Sequence, residues 1–370
     1  MVKCSWGGTM TLQESFENIK DERIDRCKKH NLVDILMLVF MGVLCGYKSI
    51  EQIQFYATLS EQTLKKYLKL ENGIPSSDTI LRVLARIDAK QLEKVFIEYA
   101  RETFGKHIAE NEVLAIDGKT IRRSEYAPTG EDKRAHKAAH VVSAWTHSLG
   151  VCFGQVKTEE KSNEITAIPE LLDLLDLKGM IITIDAMGCQ KKIVEKIAEK
   201  EAEYVISLKG NQQSIHRDVK EFFEHPCDDA YCQYYNIQRG EYSLEIGHGR
   251  IEKRTCYLCG NIDWLSEKDE WKNLNGVGML VCERTVKKTG KKSVEQRYFL
   301  TSLTDVHKAA FAMRAHWGIE NNLHWVLDED YCLVRKDNAA ANLSVLRKIV
   351  LNILKQVDFS DIVKAKKMLL

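Results

Sequence analysis

The sequence predicts an α/β protein, in which a helical N-terminal part precedes a core of alternating strands and helices that carries a β-rich insertion. Three observations support this prediction. Residues 1 to about 110 carry apolar side chains at helical spacing, residues 112–208 alternate between Val- and Ile-rich runs and amphipathic segments, and residues 211–294 contain scattered polar strands. The 370 residues suffice for two or three domains.

Composition indicates an ordinary globular chain. Its 54 Lys and Arg balance 53 Asp and Glu, so there is no global positive field, and any surface for nucleic acid must be a local patch. The longest apolar run, residues 32–45, is too short to span a bilayer, which takes ~20 residues. No apolar signal segment opens the chain, and its 11 cysteines lack a repeated spacing, so we expect reduced thiols in a cytoplasmic protein.

Residues 1–108 are expected to form an all-helical domain. Apolar side chains have helical spacing over residues 12–19, residues 32–45 are an apolar run that fits a buried helix, and residues 49–70 follow. The segment 78–104 has apolar side chains on one helical face, and Ser76 or Ser77 can cap it. Helices of this size joined by short turns fit a DNA-binding helix-turn-helix unit or a plain helical scaffold. The pattern does not distinguish the two.

Residues 109–358 are expected to form the α/β core. The predicted strands cover residues 112–116, 139–145, 151–156, 180–184 and 204–208. A turn ending at Gly150 joins the second and third strands as a hairpin, and a helix separates each of the last two strands from the strand before it. This order is that of an RNase H-like core. The β-rich insertion is expected at about residues 211–296.

Three acidic residues stand in settings where they can hold divalent cations. Asp117 and Asp185 each follow a predicted buried strand, and Glu320 lies in a predicted helix. Mg²⁺ binds carboxylates together with phosphate oxygens of a substrate, and two such ions can activate water and stabilise a leaving oxygen. A lone aspartate after a strand is more often a turn or helix cap, so the prediction of a phosphoryl-transfer site rests on the three residues together.

Helical spacing places four ionisable residues on one face of the segment around Glu320. They are His316, Glu320, His324 and Asp328. The alternatives are a transition-metal site of two His and a carboxylate, a metal-binding Glu flanked by His that contact phosphates or position water, and a polar helix edge with fortuitous spacing. Trp317 and Trp325 are expected to anchor this helix in the core.

Basic and polar side chains accompany the acidic ones. They are Lys119, Arg122 and Arg123 after Asp117, Lys209 and Asn211 after the strand that follows Asp185, and Arg314 before Glu320. Charges so placed can contact a phosphate backbone and bind DNA in a salt-dependent way. The alternative for each is an ordinary solvated charge.

Nine ordered blocks of the sequence resemble one protein family. They are DGKTIRRS, AHVVSAW, KSNEITAIPELL, TIDAMGCQ, YVISLKGNQ, HGRIEKR, YFLTSL, RAHWGIENNLHWVLDED and NLSVLRK. In this order they resemble the bacterial insertion-sequence transposases of the DDE type, in particular the group containing the H-repeat-associated proteins. The resemblance covers about residues 10–358. It implies an RNase H-like catalytic domain with a β-strand insertion before the catalytic Glu, and an N-terminal helical domain associated with the transposase.

The resemblance also implies roles for individual residues. Asp117 and Asp185 match the two catalytic aspartates of the family, and Glu320 matches the glutamate. Related DDE transposases carry a Tyr, an Arg and a Lys around that glutamate. At those positions this chain has Met313, His316 and Leu327. The candidates for the phosphate contacts of the missing Arg and Lys are Asn321, His324 and Arg335.

The resulting expectation is a transposase that binds the terminal inverted repeats of its own element. The three acids would hold two Mg²⁺ (or Mn²⁺) ions, a metal-activated water would cut the strand, and the exposed 3′-hydroxyl would attack target DNA. Because strand transfer requires two ends to be held together, we expect a homodimer or higher assembly on DNA. The alternatives are a catalytically silent DNA-binding remnant and a simple metal-dependent nuclease, which would cut without joining.

Overall fold

The computed structural model describes residues 10–126, 137–158, 164–225, 228–247, 249–327 and 332–356. The chain is a mixed α/β protein with two compact units. Unit 1 contains Met1–Ile108, Gly118–Leu175 and Glu320–Leu370, and unit 2 contains Ala109–Asp117 and Asp176–Ile319. The units interleave along the chain, so the expected division into residues 1–108 and 109–358 stays a prediction. Among the described residues, no helix combines the length and apolar character needed to cross a membrane.

The N-terminal part of unit 1 consists of helices and turns over residues 10–108. The helices are α1 (Leu12–Glu17), α2 (Leu32–Leu44), α3 (Ile50–Leu59), α4 (Glu61–Leu64), α5 (Ser77–Arg86) and α6 (Ala89–Phe104). Side chains cap each of these helices except α4 at its start. Thr11 and Ser49 form capping boxes, and Ser76 accepts the N–H of Thr79, which confirms one of the two caps predicted for α5.

The rest of unit 1 is a buried hairpin with helices packed on it. Its elements are β2 (His140–Thr146), β3 (Cys152–Thr158), α7 (Glu164–Leu174) and α14 (Ala339–Gln356), together with short segments from Glu320 onward. β2 and β3 pair antiparallel, as predicted. Both strands are buried because α6, α7 and α14 pack on β3. A Cβ at Gly154 of β3 would lie 2.7 Å from Cγ1 of Ile97, so this close packing of α6 requires a glycine.

Helix α14 connects the parts of unit 1 through buried side-chain amides. Asn342 Nδ2 donates to the carbonyls of Leu84 (2.7 Å) and Ile87 (2.9 Å) at the end of α5. Asn352 exchanges two hydrogen bonds with the backbone of Cys152, at 2.8 and 2.7 Å, where β3 begins. Backbone groups that would be costly to bury unpaired thus find partners on one helix.

A buried polar cluster joins α6, β3 and α14. Lys348 is fully buried, and its Nζ donates to Gln155 Oε1 at 2.6 Å and to Ser344 Oγ at 3.0 Å. Glu93 Oε1 accepts the backbone N–H of Lys157 at 2.8 Å. Burial raises the pKa of the Glu93 carboxyl from 4.5 to about 8, although the hydrogen bonds from Lys157 and Gln155 favour its charged form.

This raised pKa predicts a pH-dependent stability that Glu93→Gln removes. Between pH 4.5 and about 8 the folded protein binds a proton that the unfolded chain has released, so the free energy of unfolding falls as pH rises through this window. The amide keeps an acceptor for Lys157 and cannot ionise. In urea unfolding at about pH 5 and about pH 9, the variant should gain stability relative to wild type at the higher pH.

The control for this experiment is Glu51→Gln, which alters an exposed carboxylate on α3. Its difference from wild type should be the same at both pH values. A Glu93→Gln difference that is equally constant with pH would show that the Glu93 carboxyl does not titrate in this window.

Unit 2 is built on a large mixed sheet. Its strands are β1 (Val113–Thr120, which passes into unit 1 after Asp117), β4 (Ile181–Ile184), β5 (Glu203–Leu208), β6 (Ile237–Gly247), β7 (Arg250–Cys259), β8 (Gly276–Val286) and β9 (Lys292–Thr301). The order is β1-β4-β5-β9-β8-β7-β6. β1, β4 and β5 are parallel, and the other neighbours are antiparallel. The three parallel strands are apolar runs, as expected for strands covered on both faces.

Five helices complete unit 2. They are α8 (Lys191–Glu199), α9 (Gln213–Glu224), α10 (Asp229–Tyr234), α11 (Val306–Ala315) and α12 (Trp317–Ile319). α11 packs against β6 and β7. The sequence analysis did not predict α9 and α10. Only Ile215, Val219 and Phe222 of α9 are buried, a narrow stripe that is easily overlooked in a polar segment. β9 also crosses the expected end of the insertion at about residue 296, because it runs from Lys292 to Thr301.

Candidate active site

Asp117 and Asp185 occupy equivalent positions on neighbouring parallel strands of unit 2. Ile116 of β1 is in register with Ile184 of β4, and each aspartate is the next residue along the chain. Carboxyl ends of parallel strands meet at one edge of a sheet, where ligands bind in α/β proteins. Asp117 lies inside β1 rather than after it, because the strand continues to Thr120. Both side chains are half-buried.

Backbone amides and an asparagine order the segment after β4. Asp185 caps the short 3-10 turn Ala186–Gly188, and its Oδ1 accepts the N–H groups of Met187 (3.0 Å) and Gly188 (3.4 Å). Asn211 Nδ2 donates to the Ala186 carbonyl at 2.6 Å, so this predicted DNA contact also stabilises the turn. The N–H groups of Met187 and Gly188 thus fix the orientation of the Asp185 carboxylate. Lys209, two residues before Asn211, is exposed.

Thr183 is a site residue that the sequence analysis missed. It is buried in β4 two residues before Asp185, on the same face of the strand. Its Oγ1 lies 3.0 Å from Nδ1 of His316, the predicted replacement for the family Arg. The hydrogen bond anchors the His316 ring to the strand that carries Asp185. A threonine among isoleucines in IITIDA was the available signal.

In unit 1, Glu320 is surrounded by nitrogen atoms. Trp325 Nε1 donates to its Oε1 at 3.0 Å, and the ammonium of Lys119 is 3.6 Å from the same oxygen. A ring nitrogen of His324 and a carboxylate oxygen of Glu320 lie within 4.8 Å of each other. Three predicted site residues, Lys119, Glu320 and His324, are therefore brought together in this unit. Trp325 joins them, although its predicted role was different.

The segment that carries Glu320 is not one regular α-helix. Residues Glu320–His324 form a π-helical turn, followed by α13 (Trp325–Leu327). The predicted four-residue spacing of an α-helical face therefore does not hold here, and Asp328 lies outside the described residues. The core prediction for the tryptophans is wrong, since Trp317 is 45% and Trp325 69% exposed. Ile319 and Leu323 are the apolar residues of this segment that are buried.

The exposed tryptophans have polar neighbours instead. The guanidinium of Arg297 lies over the Trp317 ring, 5.2 Å from its centroid, and Trp325 donates its N–H to Glu320. Indole rings combine an apolar body with a polar edge, which is why hydrophobicity alone misplaced them. π-helical turns inside α-helices are frequent at functional sites, in keeping with the position of Glu320.

A buried His–Glu pair leaves no room for a side chain directly after Asp117. His140 Nε2 is 2.7 Å from Glu164 Oε1, and His140 Nδ1 is 2.9 Å from Thr120 Oγ1. A Cβ added to Gly118 would lie 2.3 Å from Glu164 Oε1 and 2.8 Å from His140 Nε2. The pair lies against the face of β1 opposite the Lys119 side chain, because side chains alternate along a strand. The sequence analysis missed both residues.

Three predicted DNA contacts form a second group in unit 1. Arg122, Arg123 and Arg335 are all exposed, and Arg335 Nε donates to the Arg123 carbonyl at 3.1 Å. The N–H of Cys332 donates to the Arg122 carbonyl at 3.2 Å, which holds the two chain segments side by side. Asn321 is exposed on the π-helical turn. In unit 2, Arg314 contacts Glu245, with 3.3 Å between Nε and Oε1.

Comparison with known families identifies the class of protein. The Transposase DDE domain family matches residues 108–353, and the DDE_Tnp_1-associated family matches residues 13–100. The chain belongs to the DDE transposase family. This confirms the resemblance that the ordered motifs indicated.

Individual relatives cover nearly the whole chain. It is 42% identical over 360 residues to the "Putative transposase YncI" of Escherichia coli O157:H7, covering 94% of this chain and 88% of the relative. It is 39% identical over 352 residues to the "H repeat-associated putative transposase YhhI" of Escherichia coli strain K12, and the match covers 93% of this chain and 90% of the relative. Among solved structures, a piggyBac transposase synaptic complex with hairpin DNA matches 97% of this chain and 74% of its own, with a TM-score of 0.41 and 11% identity.

The crowding at Gly118 predicts that Gly118→Ala is destabilising, by about 1–3 kcal/mol as for other overpacked sites. The methyl group must displace β1 or the Glu164 side chain. Glu164→Ala should relieve part of the collision, so the double variant should be less destabilised than the sum of the single variants. Urea unfolding of all four proteins measures this coupling.

Gly105→Ala is the matched control for this experiment, because a Cβ there meets only Cγ of Arg101, at 3.7 Å. It should leave stability unchanged or raise it by up to about 1 kcal/mol, because alanine fits this helical backbone and restricts the unfolded chain. Strictly additive effects of Gly118→Ala and Glu164→Ala would show that the two positions do not collide.

Proposed function

We propose that the protein is a DNA transposase that binds the terminal inverted repeats of its element, cuts the DNA by metal-dependent hydrolysis and joins the 3′-hydroxyl ends to target DNA. The observation that carries this proposal is the placement of Asp117 and Asp185 at equivalent positions of paired parallel strands. Two carboxylates fixed in this way at a sheet edge, in a chain of the DDE transposase family, fit metal-dependent phosphoryl transfer.

Asp117, Asp185 and Glu320 are the proposed ligands of two Mg²⁺ (or Mn²⁺) ions. Carboxylate oxygens are the protein ligands that these hard cations prefer, and substrate phosphates complete such sites. The bound ions supply an activated water and neutralise charge on the phosphate. Support for including Glu320 comes from Lys119, which shares β1 with Asp117 and lies two residues further along the same face, while its ammonium contacts Glu320.

The remaining site residues have proposed roles on DNA. The proposed contacts are Lys119, Arg122, Arg123, Lys209, Asn211, His316, Asn321, His324 and Arg335. Exposed guanidinium groups suit phosphate oxygens because they donate in a planar fork. The exposed group of Arg122, Arg123 and Arg335 supports backbone binding, and the anchored His316 supports a fixed contact near Asp185. Because two element ends must be joined, the proposed active form is a homodimer or higher assembly.

The proposed catalytic fold is an RNase H-like core, with residues about 211–296 as its insertion and residues 1–108 as an associated helical domain. Support comes from the parallel strands β1, β4 and β5, the antiparallel hairpin β2–β3, and the separate family match over residues 13–100. Strands β6, β7 and β8 lie within the proposed insertion.

Asp185→Asn tests the proposal, because an asparagine can still accept the N–H groups of Met187 and Gly188. The fold should therefore persist while the metal ligand is lost. With DNA carrying the sequence that flanks the gene, and Mg²⁺ or Mn²⁺, release of a 3′-hydroxyl should fall at least about 100-fold, as when one group that stabilises transition-state charge is removed. DNA binding should remain.

Asp263→Asn is the control, since Asp263 is an exposed acid that pairs with Lys268. Its cleavage rate should equal that of wild type. Undiminished cleavage by Asp185→Asn would remove Asp185 from the site. Cutting without joining by wild type would indicate a metal nuclease, and specific binding without cutting under either metal would indicate a silent remnant.

A further inference from the structure

The turn between β8 and β9 carries an unusual concentration of positive charge. Its lysines are Lys287, Lys288, Lys291 and Lys292, and residues 286–293 contain no Asp or Glu. All four lysines are exposed. Within the part of the chain that the structure describes, none of their ammonium groups forms a salt bridge. In a chain whose net charge is only +1, this is a distinct local patch, which we call the lysine hairpin.

The lysine hairpin is an ordered turn. The N–H of Val286 donates to the Lys291 carbonyl at 2.9 Å, and Gly290, at φ +65, supplies the left-handed residue that closes the turn. The N–H of Lys287 donates to the Gly249 carbonyl at 2.8 Å, which ties this turn to the neighbouring β6–β7 turn. The charges are therefore presented from a fixed backbone, which lowers the entropy cost of binding a partner.

In the part of the sheet formed by β6, β7, β8 and the start of β9, which we call the sheet extension, Arg250, Arg254 and Arg284 already have carboxylate partners. Glu252 contacts the guanidinium groups of Arg250 and Arg284, each at 2.8 Å, and also that of Arg254. Glu245 contacts Arg254 at 2.9 Å and Arg314 at 3.3 Å. Two carboxylates on one face of the extension thus pair with three arginines of its strands and with Arg314 of α11. The four lysines of the lysine hairpin, in contrast, have no carboxylate partner among the described residues.

The opposite face of the extension places apolar side chains beside the lysine hairpin. Strand register puts Lys292, Thr285, Ile251 and Ile246 in one row across the sheet. The next row of the same face contains Val294, Glu283, Lys253 and Leu244. Ile246 and Val294 are each 63% exposed, and Leu244 is 66% exposed. The lysines therefore lie beside exposed apolar side chains, and the acid on this face, Glu283, stands one row further from the turn.

We propose that the lysine hairpin binds the phosphate backbone of duplex DNA. The inference rests on the proposed function, which brings duplex DNA to this protein, and it assigns a binding surface outside the catalytic residues. Duplex DNA carries one phosphate per ~1.7 Å of helix axis, so several phosphates are within reach of one turn. The contact is independent of sequence, because lysines at the backbone position the protein without reading bases.

The test is the salt dependence of binding to a fluorescent duplex made from the DNA that flanks the gene, and to a duplex of scrambled sequence, in EDTA. The affinity falls as salt rises, so the slope of log affinity against log salt is negative. Substituting all four lysines by Gln should make this slope less steep by about 0.9 per lysine that contacts a phosphate. Both duplexes should be affected alike. Substituting the four lysines by Arg, which keeps the charge, should preserve the slope.

A matched charge control uses lysines that already have carboxylate partners. They are Lys65, Lys94, Lys178 and Lys220. Their combined substitution by Gln makes the same change in net charge and should leave the slope unchanged. The unfolding midpoint of each variant, measured in parallel, verifies that the fold is intact.

The outcomes separate this inference from the proposed function. If wild type binds and cuts DNA and the Gln variant of the lysine hairpin shows the wild-type slope, the inference is overturned and the transposase proposal stands. If wild type binds neither duplex, both fail. Binding of wild type and of the Gln variant to vesicles containing phosphatidylserine is measured in the same way. If the Gln variant loses vesicle binding while its DNA binding equals that of wild type, the inference is overturned in favour of a membrane surface.

Discussion

The parallel register of β1 with β4 is the constraint on which the candidate site depends. Pairing of Ile116 with Ile184 sets Asp117 and Asp185 at the same level of the sheet, and a slip by one residue would turn one carboxylate to the opposite face. The apolar run before each aspartate enforces this register, because both faces of these strands are covered. The packing of the apolar strands in the core therefore sets the positions of Asp117 and Asp185 relative to each other.

Polar groups beside the strands refine this arrangement. Thr183 holds His316, Asn211 holds the turn after Asp185, and the His140–Glu164 pair restricts β1 immediately after Asp117. Each is a buried or half-buried polar contact that would be costly to leave unmade, so each has few alternative arrangements. A site that must place carboxylates within a fraction of an ångström requires such support from rigid elements.

The strands and the two aspartates could be predicted from sequence because both signals are local. A continuous apolar run of four to eight residues that ends at an acidic residue indicates a buried strand without knowledge of any tertiary contact. The side chains that contact these residues could not be predicted, because they come from distant parts of the sequence. Thr183 and His316 are 133 residues apart, and the crowding at Gly118 depends on Glu164. The π-helical turn also depends on tertiary packing, because Leu323 and Ile319 are buried in place of the tryptophans.

The charged side chains of the sheet extension fall into two groups, one paired within the protein and one exposed to solvent. Arg250, Arg254 and Arg284 of the sheet extension form ion pairs with Glu245 or Glu252, whereas four lysines lie in an exposed turn, residues 286–293, that contains no Asp or Glu. A nearly neutral chain cannot attract a polyanion from a distance at physiological salt, where fields decay within ~8 Å. Under the proposed function, affinity for DNA would therefore come from contacts at patches held by the backbone, and the placement of each patch would decide how DNA is oriented.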